Sequence, residues 1–219
     1  MVQALIFDIG GVIAYDVWEN LFLDKKRGIA SNLNLNPEEV KKIAKTMWDE
    51  FAHRSIDKEH DWKELEKEYW NKFIQHFHLS ASVDYFINLT EQFICPIPET
   101  LKLLERLKST EVKLAICSNN TEFWFKRQMD KLGLSKFFQQ KYIILSSHIG
   151  ASKSSPNFEM FEAVIEALNV DKRDCVFVDD REESILRAVE FGITGIIFPS
   201  HSERGARYLE ALLQQMRIL

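Results

Sequence analysis

The chain has 219 residues, 46% of them hydrophobic and 28% charged, with a net charge of −5; this is an ordinary globular composition, long enough to bury its own core. The acidic balance, with a pI near 5.7, excludes a general nucleic-acid binder, which needs a basic face. No apolar run approaches the roughly 18 residues of a membrane span and none reads as a signal peptide. Cys95, Cys117 and Cys175 show no metal-ligand spacing, so the expected setting is reducing and cytoplasmic, with no membrane partner.

Val2 to Phe7 is a short apolar run with β-branched and aromatic residues, followed by Asp8 and, soon after, Gly10-Gly11. It predicts a buried strand opening into a tight turn, with a carboxylate at its carboxyl end. From Tyr15 to Ile94 the pattern is helical. One helix is predicted from Asp16 towards Ala30, with Lys25-Lys26-Arg27 as a solvated face. A second begins at Asn36-Pro37-Glu38-Glu39, where Asn caps and Pro takes the first turn. The third, Asp57 to His78, carries Trp62, Leu65, Tyr69, Phe73 and Phe77 at helical steps. The fourth, Ser82 to Ile94, carries Phe86, Leu89 and Phe93. These aromatics read as bundle core, with a binding patch as the lesser alternative. His53, His60, His76 and His78 lack the i, i+4 spacing of a helical metal pair.

Cys95-Pro96-Ile97-Pro98 breaks the helical region. Beyond it, helices (Pro98–Lys108, Thr121–Leu132, Pro156–Leu168, Glu182–Phe191, and one from Ser202) alternate with strands (Val112–Cys117, Tyr142–Leu145, Cys175–Val178, Thr194–Phe198). Alternation of this kind predicts an α/β fold, a Rossmann-like parallel sheet covered on both faces. The first strand has nothing else to pair with and must join that sheet, so the helical segment is an insertion.

Ligands of open α/β sheets bind beyond the carboxyl ends of the strands, and polar residues collect there. Asp8 ends the first strand and Ser118-Asn119-Asn120 the second; Gly150-Ala151-Ser152-Lys153 follows the third, and Asp179-Asp180 ends the fourth. Each alone reads equally well as an N-cap, a turn residue or a surface charge. Together at one rim, Asp8, Asp179 and Asp180 would repel one another by about 4 kcal/mol per close pair at an effective dielectric of about 20. Lys153 is expected to offset only one of them, and a hard divalent cation, Mg²⁺ before Ca²⁺, the remainder. A cation beside a hydroxyl, a helix N-terminus and a lysine suits a phosphate, so a small phosphorylated molecule is the expected partner.

Four ordered motifs (Phe7-Asp8-Ile9-Gly10-Gly11-Val12-Ile13, Ile116-Cys117-Ser118-Asn119, Ile149-Gly150 leading to Lys153, and Val178-Asp179-Asp180), together with Phe191-Gly192-Ile193-Thr194, resemble those of the haloacid dehalogenase (HAD) superfamily, in its branch with a helical cap after the first strand. The resemblance spans nearly the whole core; the cap matches only in being helical. Among relatives, the sequence is most similar to sugar-phosphate phosphatases of the α-glucose-1-phosphatase type. The resemblance implies a HAD-like core of residues 1–14 and 96–219 and an all-helical cap of residues 15–95. Asp8 would be the nucleophile, forming an aspartyl-phosphate that water cleaves. Ser118 and backbone N–H groups near Asn119 would bind the transferring oxygens, and Lys153 would hold nucleophile and phosphate together. Asp8, the Gly10 carbonyl and Asp180 would ligate Mg²⁺, with Asp179 beside them among the catalytic groups.

Most phosphatases of this family carry a second aspartate two residues after the nucleophile, as general acid and base. Here that position is Gly10, and general acid–base catalysis is worth about 10²–10⁴-fold. An Mg²⁺-dependent phosphatase, with a sugar phosphate favoured, therefore needs a good leaving group or a substitute acid (His148, Asp16 or a metal-ordered water). The alternatives are a weakly active or non-catalytic phospho-ligand-binding scaffold and a metal-free haloacid dehalogenase; the paired Asp179-Asp180 argues against the last. Arg54 and Trp18 are candidates for the cap surface over the site, with plain packing or solvation as the other reading.

Overall fold

A computed structural model describes residues 2–54, 61–200 and 204–219. β1 (Ala4–Phe7) is wholly buried, as four consecutive apolar residues require of a strand covered on both faces. Leu5 and Phe7 face one apolar cluster and Ala4 and Ile6 another, following the two-residue pleat. β2 (Lys113–Ser118) and β4 (Cys175–Asp179) flank β1, while β3 (Ile143–Leu145) and β5 (Thr194–Ile197) form the edges. The five strands are parallel in the order β3-β2-β1-β4-β5. The order reverses beside β1, and Phe7 sits opposite both Ile116 and Val178. Asp8 and Asp179 therefore leave the sheet side by side at its switch point.

Five helices separate β1 from the rest of the sheet: α1 (Val17–Leu23), α2 (Ile29–Asn32), α3 (Pro37–Arg54), α4 (Trp62–His76) and α5 (Val83–Gln92). Trp70, Phe73 and Phe86 are fully buried, and Trp70 stacks on Phe86 at 4.9 Å. They belong to the same apolar cluster as Leu5 and Phe7. The segments leading into and out of this helical stretch run side by side, Tyr15 N–H donating to the Cys95 carbonyl and Ile97 N–H to that of Ile13. The core continues with α6 (Pro98–Leu107), α7 (Glu122–Leu132), the short α8 (Ser146–Ile149), α9 (Glu159–Leu168), α10 (Glu182–Phe191) and α11 (Gly205–Gln215). Helices α9 and α10 pack on the sheet, and α6 pairs with α11.

The long first helix expected from Asp16 to Ala30 is instead two. The Asp24 carboxylate takes the N–H groups of Lys26 and Arg27, closing a turn. Gly28 then approaches the Asp24 carbonyl so closely that a Cβ would lie 2.6 Å from it. Asn36 caps α3 as expected, accepting from Glu38 and Glu39 N–H. The expected start of the third helix at Asp57, and that of the last at Ser202, lie outside the described residues. Within them α4 begins at Trp62, with Asp61 accepting from Lys63 N–H. Helix α9 begins at Glu159 rather than Pro156, because Phe158 is left-handed (φ 61°). No helix among the described residues is long and apolar enough to cross a membrane.

Candidate active site

The carboxyl ends of β1 and β4 bring Asp8, Asp179 and Asp180 together, with a ligand oxygen from each within 4.8 Å of the others. Asp8 is 7% exposed, Asp179 0% and Lys153 2%. Lys153 Nζ lies 3.1 Å from Asp8 Oδ1 and 2.5 Å from Asp179 Oδ2. Seated between two acids, the lysine bridges both, while its single charge offsets only one of them in sum. Asp179 is fully engaged, since its other oxygen accepts the Arg181 N–H at 2.8 Å. It stands behind the lysine rather than on the cavity wall. Asp8 Oδ1 makes the ion pair but no well-directed hydrogen bond, and remains a buried oxygen short of a partner.

Burial opposes the Lys153 charge, but the flanking carboxylates outweigh it and hold the ammonium above the ordinary lysine range. Burial lifts Asp179 above the usual carboxylate range against the pull of Lys153. Asp180 is lifted too, by burial first and then by the charge of Asp8. Two carboxylates whose anionic forms burial disfavours, beside the under-bonded oxygen of Asp8, fit a hard divalent cation. Gly11 makes room for that arrangement: it is left-handed (φ 70°), and a Cβ there would fall 2.1 Å from Asp180 Oδ2. Gly10, by contrast, has nothing within 4 Å of where a Cβ would project.

Ser118 is buried at the end of β2. Asn119 is exposed, and its side chain accepts the Lys153 N–H at 2.9 Å, tying the lysine's loop to β2. Ser146 and Ser147, which the sequence reading overlooked, brace the loop after β2; they accept from Asn120 N–H and Glu122 N–H through their hydroxyls. Thr121 caps α7 through Trp124 N–H.

A cavity of about 300 Å³ opens above this floor, lined by Asp8, Gly10, Ser118, Asn119, Lys153 and Asp180 below and by residues of α1, α3, α4 and α7 above. Asp16 and Trp18 are on its wall. Arg54 and His148 are not; the first pairs with Glu68 at 3.0 Å and the second lies 3.7 Å from Glu122. The wall also carries Trp62, Leu65, Glu66 and Tyr69 of α4, two of whose aromatics the sequence reading had assigned to bundle core. Arg127 of α7 pairs with Glu66 at 2.9 Å and Glu91 at 3.1 Å, and its guanidinium lies 4.1 Å from the Phe123 ring centroid. Of the expected non-ligand histidines, His76 reaches Glu39 at 4.0 Å, and His60 lies outside the described residues. Among the described residues the three-aspartate group is the only cluster suited to a metal.

With the geometry in hand, comparison with known proteins is informative. The chain is 25% identical over 199 residues to the phosphoglycolate phosphatase of Neisseria meningitidis, covering 89% of this chain and 79% of the relative. Among solved structures, a HAD family enzyme from Bacteroides thetaiotaomicron superposes with a TM-score of 0.68 at 19% identity, covering 92% of this chain and 96% of that one. The L-2-haloacid dehalogenase of Xanthobacter autotrophicus superposes with a TM-score of 0.67 at 18% identity, covering 90% and 78%. These two share the fold. The family described as haloacid dehalogenase-like hydrolase matches residues 2–192, which carry four of the five strands and everything inserted among them; the chain belongs to the haloacid dehalogenase-like hydrolases.

Proposed function

We propose that the protein is a magnesium-dependent phosphomonoesterase acting on a small phosphorylated metabolite, with residues 15–95 as a cap over the site. The supporting observation is the set of three carboxylates gathered around one buried lysine. A carboxylate oxygen of Asp8 attacks phosphorus; that bond forms as the bond to the ester oxygen breaks, and water then cleaves the aspartyl-phosphate to regenerate Asp8 and release phosphate. Lys153 holds the nucleophile and offsets charge on the phosphoryl group, while Asp179 keeps the lysine charged and aimed. Ser118 and the Asn119 N–H hold the transferring oxygens. Asp8, Asp180 and the Gly10 carbonyl would hold Mg²⁺, which supplies charge neutralisation at those oxygens.

The leaving oxygen finds no carboxyl at position 10. Asp16 lines the cavity and His148 does not, so Asp16 takes the acid's part for substrates that need one. A sugar phosphate rests on the resemblance to sugar-phosphate phosphatases alone. Metal-free dehalogenation, the second reading, draws on the shared fold, but a third carboxylate, Asp180, crowded beside the lysine-paired Asp8 and Asp179 is costly without a cation. Phosphate and halide release, each measured with and without Mg²⁺, separate these readings. Metal-dependent phosphate release that disappears in a folded Asp8→Asn variant is the expected result. Unchanged turnover in Asp8→Asn would remove the nucleophile assignment, and neither product under any condition would leave a phospho-ligand-binding scaffold.

A further inference from the structure

The upper wall of the cavity is made of rings. Trp18 and Trp48, with centroids 4.6 Å apart, line it with Trp62, Tyr69, Phe123 and Trp124, and Trp48 stays 39% exposed. Most of the polar atoms among them are already bonded to the protein. The Thr90 hydroxyl donates to the Phe86 carbonyl at 2.6 Å, and the Thr121 hydroxyl accepts from Trp124 N–H at 3.2 Å. Asn120 donates to Gln128 Oε1 at 2.7 Å, and Arg127 holds Glu66 Oε1 at 2.9 Å, which leaves Glu66 Oε2 as a buried acceptor without a partner. A polyhydroxylated group moved from water into this space would give up hydrogen bonds and find few replacements, which is costly. A flat apolar ring would displace water from aromatic faces and stack on them.

A second observation points the same way. Gly10 leaves the usual acid position without a proton donor, so the site favours an oxygen that departs readily as an anion. A phenolic oxygen, with a pKa of about 10, is far better in this respect than an alkyl one. We infer that the substrate is an aryl phosphate monoester, its ester oxygen carried directly on a planar aromatic ring that packs against the aromatic side chains of the upper wall. In the reaction the Asp8 oxygen–phosphorus bond forms, the phosphorus–aryl oxygen bond breaks, and the aryloxide takes its proton from solvent after departure. This rests on the phosphatase reading for turnover but not for binding, and the two are tested separately.

Binding of phenyl phosphate, 1-naphthyl phosphate, glucose 1-phosphate and glycerol 3-phosphate to Asp8→Asn with Mg²⁺ is measured by calorimetry and by quenching of tryptophan fluorescence. Turnover of the same panel, plus acetyl phosphate as a ring-free ester with a good leaving group, is measured on the unaltered protein. The aryl phosphates are expected to bind at least about tenfold more tightly than the polyol phosphates, the effect of one good stacking contact. The exposed Trp48→Ala and, independently, Trp62→Leu should raise KM for 1-naphthyl phosphate about tenfold and leave acetyl phosphate unchanged. Tighter binding or faster turnover of glucose 1-phosphate would overturn the aryl assignment while leaving the phosphatase reading intact. Selective aryl binding with no phosphate release would do the reverse. Equal effects of the tryptophan variants on acetyl phosphate would mean that they act on the fold, and would also overturn the assignment.

Discussion

Gly10 and Gly11 are neighbours with opposite constraints. Gly11 combines φ 70° with a Cβ position 2.1 Å from Asp180 Oδ2, so Gly11→Ala must push Asp180 aside. Displacing a group that supports a metal ligand costs about 10–100-fold in affinity, and Mg²⁺ titration of activity in a folded Gly11→Ala variant should show at least the lower end of that range. Gly10 meets nothing within 4 Å and its φ is not left-handed, so Gly10→Asp is sterically free. General acid catalysis is worth about 10²–10⁴-fold; Gly10→Asp should therefore raise kcat for alkyl phosphates at least about tenfold and scarcely change acetyl phosphate. No gain would mean that Asp16 already supplies the proton, in which case Asp16→Asn should lower alkyl turnover selectively. The floor residues were legible in sequence because Asp8, Ser118 and Asp179 each end a short apolar run, and a parallel sheet gathers such ends. The two-sided grip on Lys153 was not, since spacing along the chain carries no information on which carboxylates a buried ammonium will reach. Nor does it reveal that the Asn119 side chain anchors that lysine's loop.

At the scale of elements, α4 serves two environments with one periodicity. Trp70 and Phe73 lie wholly in the core, Leu65 and Tyr69 are buried in that core and also border the cavity, Trp62 lines the cavity from the core's edge, and Glu66 turns to Arg127. A helical repeat marks an apolar face without saying where along it side chains give way to a void, so the bundle core was legible and the cavity that Trp62 and Tyr69 border was not. Arg127 ties α7 to α4 and α5 at once. Burial pushes the Glu66 carboxyl above its ordinary range and Arg127 pulls against that. Arg127→Ala should cost about 2–3 kcal/mol, because it strands a partly buried carboxylate. The sign of the pH effect follows: with the arginine gone, the folded carboxyl holds its proton more tightly than the unfolded one. The variant should therefore regain stability as pH falls from 7 towards 5. Urea midpoints at the two pH values measure this, and a deficit that stays constant across them would place the loss in packing against Phe123 instead.

For the molecule as a whole, the membership of β1 in the sheet follows from a first strand with no local partner and could be read from the sequence, whereas its place at the centre of the strand order could not. The break between α1 and α2 could not, because it depends on the Asp24 carboxylate folding back on two amides and on the tight approach at Gly28. The larger consequence concerns cooperativity. One apolar cluster runs from Leu5 and Phe7 of the sheet through Val40, Trp70 and Phe86 of the inserted helices to Leu209 of α11, so loss of the helices would open a core that they share with the sheet. The three cysteines report on this independently. Cys117 and Cys175 are buried in β2 and β4, and burial pushes both thiols up to about 12, where the thiolate that alkylates is scarce. Cys95 is half-buried where the chain returns from the inserted helices beside Tyr15. A maleimide at neutral pH should label Cys95 in the folded protein and leave Cys117 and Cys175 untouched until urea unfolds the chain. Their labelling should begin at the same urea concentration at which tryptophan fluorescence, weighted towards the inserted helices by Trp18, Trp48, Trp62 and Trp70, reports unfolding. If fluorescence changes at distinctly lower urea, the helices melt away from an intact sheet, and the shared core contributes less to holding the two together than its continuity implies.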